Sequence, residues 1–363
     1  MYEELYISEK IFRKKITIIN FLCIVIVIFI HTYNIDVYNL EGKEFNLEAS
    51  IYWLERYFKV LTAIGTPFFF IISGYLFFRT FSFSRECITS KYLSRLKTIV
   101  IPYLIWNTIY YLYFVLLTNV PSIASHMNSE KIEFSLRVWL EWMWLDKYYI
   151  FWFLQDLMVM ILISPLLYLV LKDYKRFRNL VGNGFIAMII MYIITSGLVC
   201  KHVPYFSFFY VVGAYIGINY KDVPKFFNRR YRLICILGVV AMLLISVIRL
   251  CANVSLSRVE VIFFCICIWG AIEVKESLKD KKLPMLIGES FFIYCSHDMV
   301  LEAVEKIWLM IGGESPLAAV IDYFCAPIIS LFIIWILLKL LGLIPTVGNL
   351  LTGGRLGCVE GNR

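Results

Sequence analysis

A single histidine lies near the end of the first apolar stretch of the chain. His31 follows the apolar run 27–30 and precedes Thr32. Because imidazole binds and releases a proton near neutral pH, a histidine at this position suits a general base that deprotonates a hydroxyl group. A histidine that only makes a hydrogen bond at a membrane interface is equally compatible with this position.

Two further ionisable groups interrupt apolar stretches later in the chain. His297 stands directly before Asp298, and Asp156 lies in the block Phe-Trp-Phe-Leu-Gln-Asp-Leu. Ionisable side chains are costly inside a membrane, so each is a candidate site residue, although structural pairing also explains Asp156. Adjacent helical residues point about 100° apart, so we predict that His297 and Asp298 do not both face one site.

A third feature combines small residues with a basic cluster. Ser73 and Gly74 permit close approach of a backbone or a ligand, and Arg79 follows at the end of the same stretch. Arg95 belongs to the basic segment that comes next. Guanidinium groups bind phosphates, but positive charge on the inner side of a membrane also explains the cluster.

The composition predicts which type of secondary structure positions these residues. Hydrophobic residues make up 60% of the 363 residues, charged residues 17%, and the mean hydropathy is +0.75. Soluble domains average about 45–50% apolar and about 25% charged residues, so we predict an all-α, polytopic membrane helix bundle. Ten stretches are long enough to cross a bilayer: 16–34, 58–78, 98–118, 149–171, 181–199, 204–219, 233–250, 258–274, 286–309 and 318–344.

The charge pattern predicts the orientation of the bundle. With both termini in the cytoplasm, every predicted inner segment carries Lys or Arg, whereas the first outer loop is acidic. This distribution follows the positive-inside rule. The net charge of +8 therefore indicates membrane topology and not nucleic-acid binding. The ten cysteines show no metal-ligand spacing, and we expect no metal.

These blocks, taken in chain order, resemble the membrane acyltransferase-3 family. The resemblance covers nearly the whole chain, 1–363, as a single domain. It comprises the apolar helix ending in His31, Phe69-Phe70-Ile71-Ile72-Ser73-Gly74-Tyr75, the basic segment leading into Ile101-Pro102-Tyr103, Phe151-Trp152-Phe153-Leu154, Phe208 to Tyr215, and Ser290 to His297.

The resemblance implies acyl transfer from cytoplasmic acyl-CoA, usually acetyl-CoA, to a hydroxyl of a carbohydrate or glycolipid acceptor on the outer side of the cell membrane. It places the protein among membrane lipids, with no metal and no nucleic acid. The site residues it implies are His31, Asp156 and His297 for catalysis, Arg79, Arg95 and Ser73 for the donor, and Asn20, Trp152 and Gln155 for substrate contacts.

One position departs from the family pattern. The family usually has an arginine eleven residues before the helix-1 histidine, and here Asn20 brings no charge. A catalytically inactive relative is therefore an alternative reading. A transporter or flippase lined by the buried polar residues is another, although no internal repeat of the kind common in transporters is evident.

Overall fold

All regular elements in the described part of the chain are helices. The computed structural model describes residues 8–32, 53–54, 56–57, 64–120, 131–144, 149–172, 203–222, 229–252, 254, 256–313 and 315–356. The helices are α1 Glu9–His31, α2 Gly65–Phe78, α3 Arg85–Arg95, α4 Ile101–Asn119, α5 Leu136–Trp144, α6 Trp152–Leu162, α7 Ser164–Leu171, α8 Val203–Asn219, α9 Arg229–Cys251, α10 Arg258–Ala271, α11 Met285–Gly288, α12 Ser290–Gly312, α13 Pro316–Gly342 and α14 Pro345–Leu351. A π-helical turn, Leu96–Val100, joins α3 to α4.

Four described helical stretches are long and apolar enough to cross a membrane. They are Glu9–His31, Arg85–Asn119, Tyr231–Cys251 and Leu317–Gly342, and α6 with α7 adds a fifth if that bent pair is one span. The described part of the chain is thus all-helical and has the long apolar helices of a membrane protein. The count of ten spans and the cytoplasmic termini stay predictions, because stretch 181–199 and both chain ends lie outside the described residues.

The predicted span 149–171 is broken in the structure. The helices α6 and α7 meet at an angle of 58°. Pro165 stands in the first turn of α7, where its fixed φ suits a helix start but its missing N–H ends the α6 hydrogen-bond ladder. The proline therefore divides this stretch into two short helices.

The helices α2 and α8 pack backbone against backbone through glycines. A Cβ added to Gly213 would lie 2.0 Å from the carbonyl oxygen of Ile71, and one added to Gly74 would lie 2.3 Å from that of Tyr210. Such contact is possible only because these glycines have no side chain. This packing fixes α2, and with it Ser73, against the rest of the bundle.

We expect Gly213→Ala to lower the thermal unfolding midpoint of the purified protein. The new methyl group would push α2 and α8 apart at a cost of about 1–3 kcal/mol, the range for overpacked sites. Gly342→Ala is the matched control, because a Cβ there meets no atom within 4 Å. An unfolding midpoint that is equal in both variants would contradict this packing.

The first helix occupies the centre of the arrangement that forms the site. Helix α1 packs against α2, α11, α12 and α13. Its N-terminus is capped by Ser8, whose hydroxyl accepts a hydrogen bond from the backbone N–H of Ile11. This capping begins the helix at Glu9, about two turns before the predicted stretch 16–34, and α1 ends at His31, close to the predicted limit.

Candidate functional site

Three ionisable side chains meet where α1 ends beside α12. The Nδ1 atom of His31 lies 3.7 Å from the Oδ1 atom of Asp298, and the rings of His31 and His297 are 5.1 Å apart between centroids. His297 is fully buried, whereas the side chains of His31 and Asp298 keep 14% and 13% of their surface exposed. We call His31, His297 and Asp298 the histidine cluster.

The prediction that His297 and Asp298 do not both face one site is wrong. One nitrogen or oxygen from each member of the histidine cluster lies within 4.8 Å of the others. Successive side chains of α12 do diverge by about 100°, but the end of α1 stands in the angle between them. His31 therefore contacts both neighbours at once.

A hydrogen bond to the backbone defines the tautomer of His297. Its Nδ1 atom lies 2.7 Å from the carbonyl oxygen of Tyr294. A carbonyl oxygen only accepts, so Nδ1 donates and the lone pair of the neutral ring is on Nε2. That Nε2 atom is buried without a hydrogen-bond partner among the described residues. A buried acceptor without a partner is unfavourable, so binding of a hydrogen-bond donor such as a hydroxyl group at Nε2 would be stabilising.

The histidine cluster has the composition of an acid–base site. A carboxylate beside Nδ1 of an imidazole orients the ring and leaves Nε2 to take up a proton. The separation of 3.7 Å exceeds a direct hydrogen bond, but such contacts are often long before substrate binds. Two imidazoles and a carboxylate are also possible ligands of a divalent metal such as zinc.

A separate polar cavity lies deeper along the same two helices. Its volume is about 290 Å³. Its lining includes three of the predicted residues, Asn20, Ser73 and Arg95, together with Arg355. The complete lining is Thr17, Asn20, Phe69, Ser73, Arg95, Ile99, Phe153, Leu154, Leu157, Gly288, Ser290, Phe291, Tyr294 and Arg355. Among these lining residues are two guanidinium groups and no carboxylate.

Tyr294 connects the cavity with the histidine cluster. Its side chain lines the cavity, its carbonyl oxygen accepts from His297, and the two rings are 6.2 Å apart between centroids. At a rise of about 1.5 Å per residue, His31 stands about 16 Å along α1 from Asn20. The cavity and the histidine cluster are thus separate polar regions along the same two helices, and Tyr294 contacts both.

Arg79, predicted to hold the donor, contacts other groups. Its Nη2 atom donates to Glu9 Oε2 at 2.9 Å, and its guanidinium lies over the rings of Phe12 and Tyr75. It is not among the residues that line the cavity. The geometry therefore favours Arg95 over Arg79 as a donor contact.

The other predicted residues lie on α6. Trp152 packs on Phe206, with 4.6 Å between ring centroids, and the amide nitrogen of Gln155 donates to the hydroxyl of Tyr103 at 2.7 Å. Asp156 is 1% exposed. All three are absent from the histidine cluster and from the cavity lining, although Phe153 and Leu154 beside them line the cavity. Their predicted catalytic and substrate roles stay predictions.

Sequence reasoning did not select three residues that the structure places in the site. Asp298 was detectable as an acidic residue beside His297, and Tyr294 as part of the same block. Arg355 carried no such signal, since a basic residue near the chain end is explained by topology alone.

Comparisons with known proteins identify the family of the chain. Residues 13–339 match the family described as "Acyltransferase domain". Three relatives, each a "Probable poly-beta-1,6-N-acetyl-D-glucosamine export protein", come from Staphylococcus aureus strains MSSA476, MW2 and N315. Each is 24% identical over 286 residues, which cover 72% of this chain and 76% of the relative. No solved structure matches the chain. The family match extends over most of the sequence and confirms the resemblance of the motifs, so the chain belongs to the acyltransferase-3 family.

Proposed function

We propose that the protein transfers an acyl group, most simply acetyl, from acyl-CoA to a hydroxyl of a carbohydrate or glycolipid. The observation that carries this proposal is the convergence of His31, His297 and Asp298 in one cluster, which Tyr294 connects with a separate cationic cavity. The S. aureus relatives are named for export of a polysaccharide, which supports a saccharide acceptor. The cytoplasmic membrane is the location that gives such an enzyme access to acyl-CoA.

The histidine cluster supplies the proton chemistry of the proposed reaction. Asp298 holds Nδ1–H of His31, and Nε2 removes the proton of the acceptor hydroxyl. The resulting oxygen attacks the carbonyl carbon of the thioester and forms a C–O bond as the C–S bond breaks. The CoA thiolate then takes the proton from the His31 imidazolium. A positioned base of this kind contributes about 10²–10⁴-fold in rate.

The cavity is suited to the donor. Arg95 brings a positive charge to its wall, and Ser73 offers a hydroxyl. The amide oxygen of Asn20 is buried with no hydrogen-bond partner in the described part of the chain, so it can accept from an amide N–H such as those of the pantetheine arm. Tyr294 contacts both the cavity and His297, so the thioester would pass Tyr294 on its way to His31.

A radiolabel experiment tests the proposed function. Membranes containing the protein are incubated with acetyl-labelled acetyl-CoA, and the saccharide fraction is isolated and treated with mild alkali. We expect label in that fraction, released as acetate because an ester is alkali-labile. Absence of label, or label in an alkali-stable amide, would contradict O-acylation.

Export is the second candidate, because it is the function in the relatives' name. A pure exporter needs no general base, so His31→Gln would leave export of polymer intact and no acyl label would appear in the wild type. The same radiolabel assay, combined with measurement of surface polymer, therefore separates the two functions.

We expect metal chelators to leave the transfer rate unchanged. A thioester is already an activated acyl donor, and the proposed step needs only a proton acceptor at His31. The measurement is acyl transfer by purified protein before and after prolonged EDTA treatment. Loss of transfer that Zn²⁺ restores would show that the histidine cluster works as a metal site instead.

A further inference from the structure

We infer that Arg355 forms the second cationic wall of the donor cavity, so that the C-terminal turn is part of the acyl-CoA site. This inference rests on the proposed function and extends it. The family match ends at residue 339, and Arg355 lies beyond it.

The turn that presents Arg355 is specified by the local sequence. After α14, Gly353 and Gly354 have φ values of 66° and 76°, a region that other residues rarely adopt. The hydroxyl of Thr352 accepts hydrogen bonds from the backbone N–H groups of Arg355 and Leu356, at 3.2 and 2.9 Å. The chain is therefore turned sharply just before Arg355.

The turn is also anchored to the bundle. The indole N–H of Trp106 on α4 donates to the carbonyl oxygen of Leu351 at 3.0 Å. A Cβ added to Gly353 would lie 2.8 Å from the carbonyl oxygen of Thr98, so the C-terminal turn packs closely against the π-helical turn that precedes α4. These contacts hold the C-terminal turn against the helices that line the cavity.

Contacts of the guanidinium group itself fix its direction. Nη1 of Arg355 donates to the carbonyl oxygen of Thr352 at 3.0 Å, and the group lies over the ring of Phe291, 4.4 Å from its centroid. Phe291 is itself a lining residue. The guanidinium therefore reaches the cavity in a defined position and not as a mobile surface charge.

The positive charge of the cavity lining favours binding of an anion. Arg95 and Arg355 both line the cavity, and the first turn of α12 adds the positive end of a helix dipole through Ser290. Glu289, which interacts electrostatically with Arg355, precedes that turn but is not a lining residue. Guanidinium groups bind phosphate through paired N–H donors, so the phosphates of CoA are the chemistry that fits.

Direct binding of CoA tests the inference independently of catalysis. Equilibrium dialysis of labelled CoA against detergent-purified protein compares wild type, Arg355→Gln and Arg355→Lys. We expect the Gln variant to bind about 10–100-fold more weakly, the range for one lost charge-assisted phosphate contact, and the Lys variant to keep part of the affinity. Arg232→Gln is the charge-matched control, because Arg232 pairs with Glu273 and does not line the cavity.

A rescue experiment separates binding from folding. Thr17 lines the same cavity and has no assigned role in binding, so Thr17→Arg in the Arg355→Gln background should return a second guanidinium group to the lining and restore CoA binding. Wild-type CoA affinity in Arg355→Gln, or absence of CoA binding to the wild type, would overturn the inference. A weakened variant that unfolds at lower temperature and is not rescued would assign Arg355 a structural role and overturn it as well. CoA binding that depends on Arg355 without any acyl transfer would refute the proposed function alone.

Discussion

Replacing His31 with Gln is expected to lower the rate of acyl transfer by about 10²–10⁴-fold, the contribution of a positioned general base. Glutamine keeps a polar side chain of similar reach at the end of α1 but does not take up a proton. The measurement is the initial rate of label transfer from acetyl-CoA at saturating donor.

Donor binding provides the control for His31→Gln. The cavity that we assign to CoA lies about 16 Å away along α1, so CoA affinity and the thermal unfolding midpoint should match the wild type. A variant that transfers at the wild-type rate would exclude His31 as the base. A variant that loses CoA affinity as well would indicate general damage to the fold.

The second large effect is expected for Asp298→Asn, which keeps the size of the side chain and removes its charge. Without the carboxylate, the ring of His31 is no longer held with Nδ1–H toward position 298, and the tautomer with the lone pair on Nε2 loses its stabilisation. We expect a fall in kcat on the order of 10²–10⁴-fold with little change in the KM for acetyl-CoA.

Asp280→Asn is the matched control for this substitution. Asp280 makes an exposed ion pair with Lys10 and belongs neither to the histidine cluster nor to the cavity lining. Its loss should leave kcat unchanged. If Asp298→Asn retains full kcat, or if only its KM changes, then Asp298 does not orient His31 in the reaction.

The long helices are the part of the fold that can best be predicted from the sequence. Apolar runs interrupted by polar segments set the approximate limits of α1, α4, α9 and α13, because the bilayer requires long apolar helices. Breaks inside these runs were not predicted. The bend of 58° between α6 and α7 at Pro165, and the break at Glu289 between α11 and α12, both fall inside stretches that the sequence predicts as single spans.

The site was predictable as single residues but not as an arrangement. His31 and His297 were found because ionisable groups in apolar stretches are rare and costly. Their contact depends on how α1 packs against α12, which no local pattern encodes. The position of Arg355 in the site could not be predicted from the sequence, because the turn after α14 brings it to a cavity formed by residues far away in sequence.

The central claim is that acyl-CoA bound at the Arg95 end of the site donates to an acceptor at the His31 end. Sealed inverted and right-side-out membrane vesicles test it directly with externally added, acetyl-labelled acetyl-CoA. Inverted vesicles expose the predicted cytoplasmic face, so we predict that they alone incorporate label. Their ester product should be protected from external hydroxylamine until lysis, and His31→Gln vesicles should form none. Incorporation by intact right-side-out vesicles, or a product on the same face as the donor, would contradict transfer across the membrane.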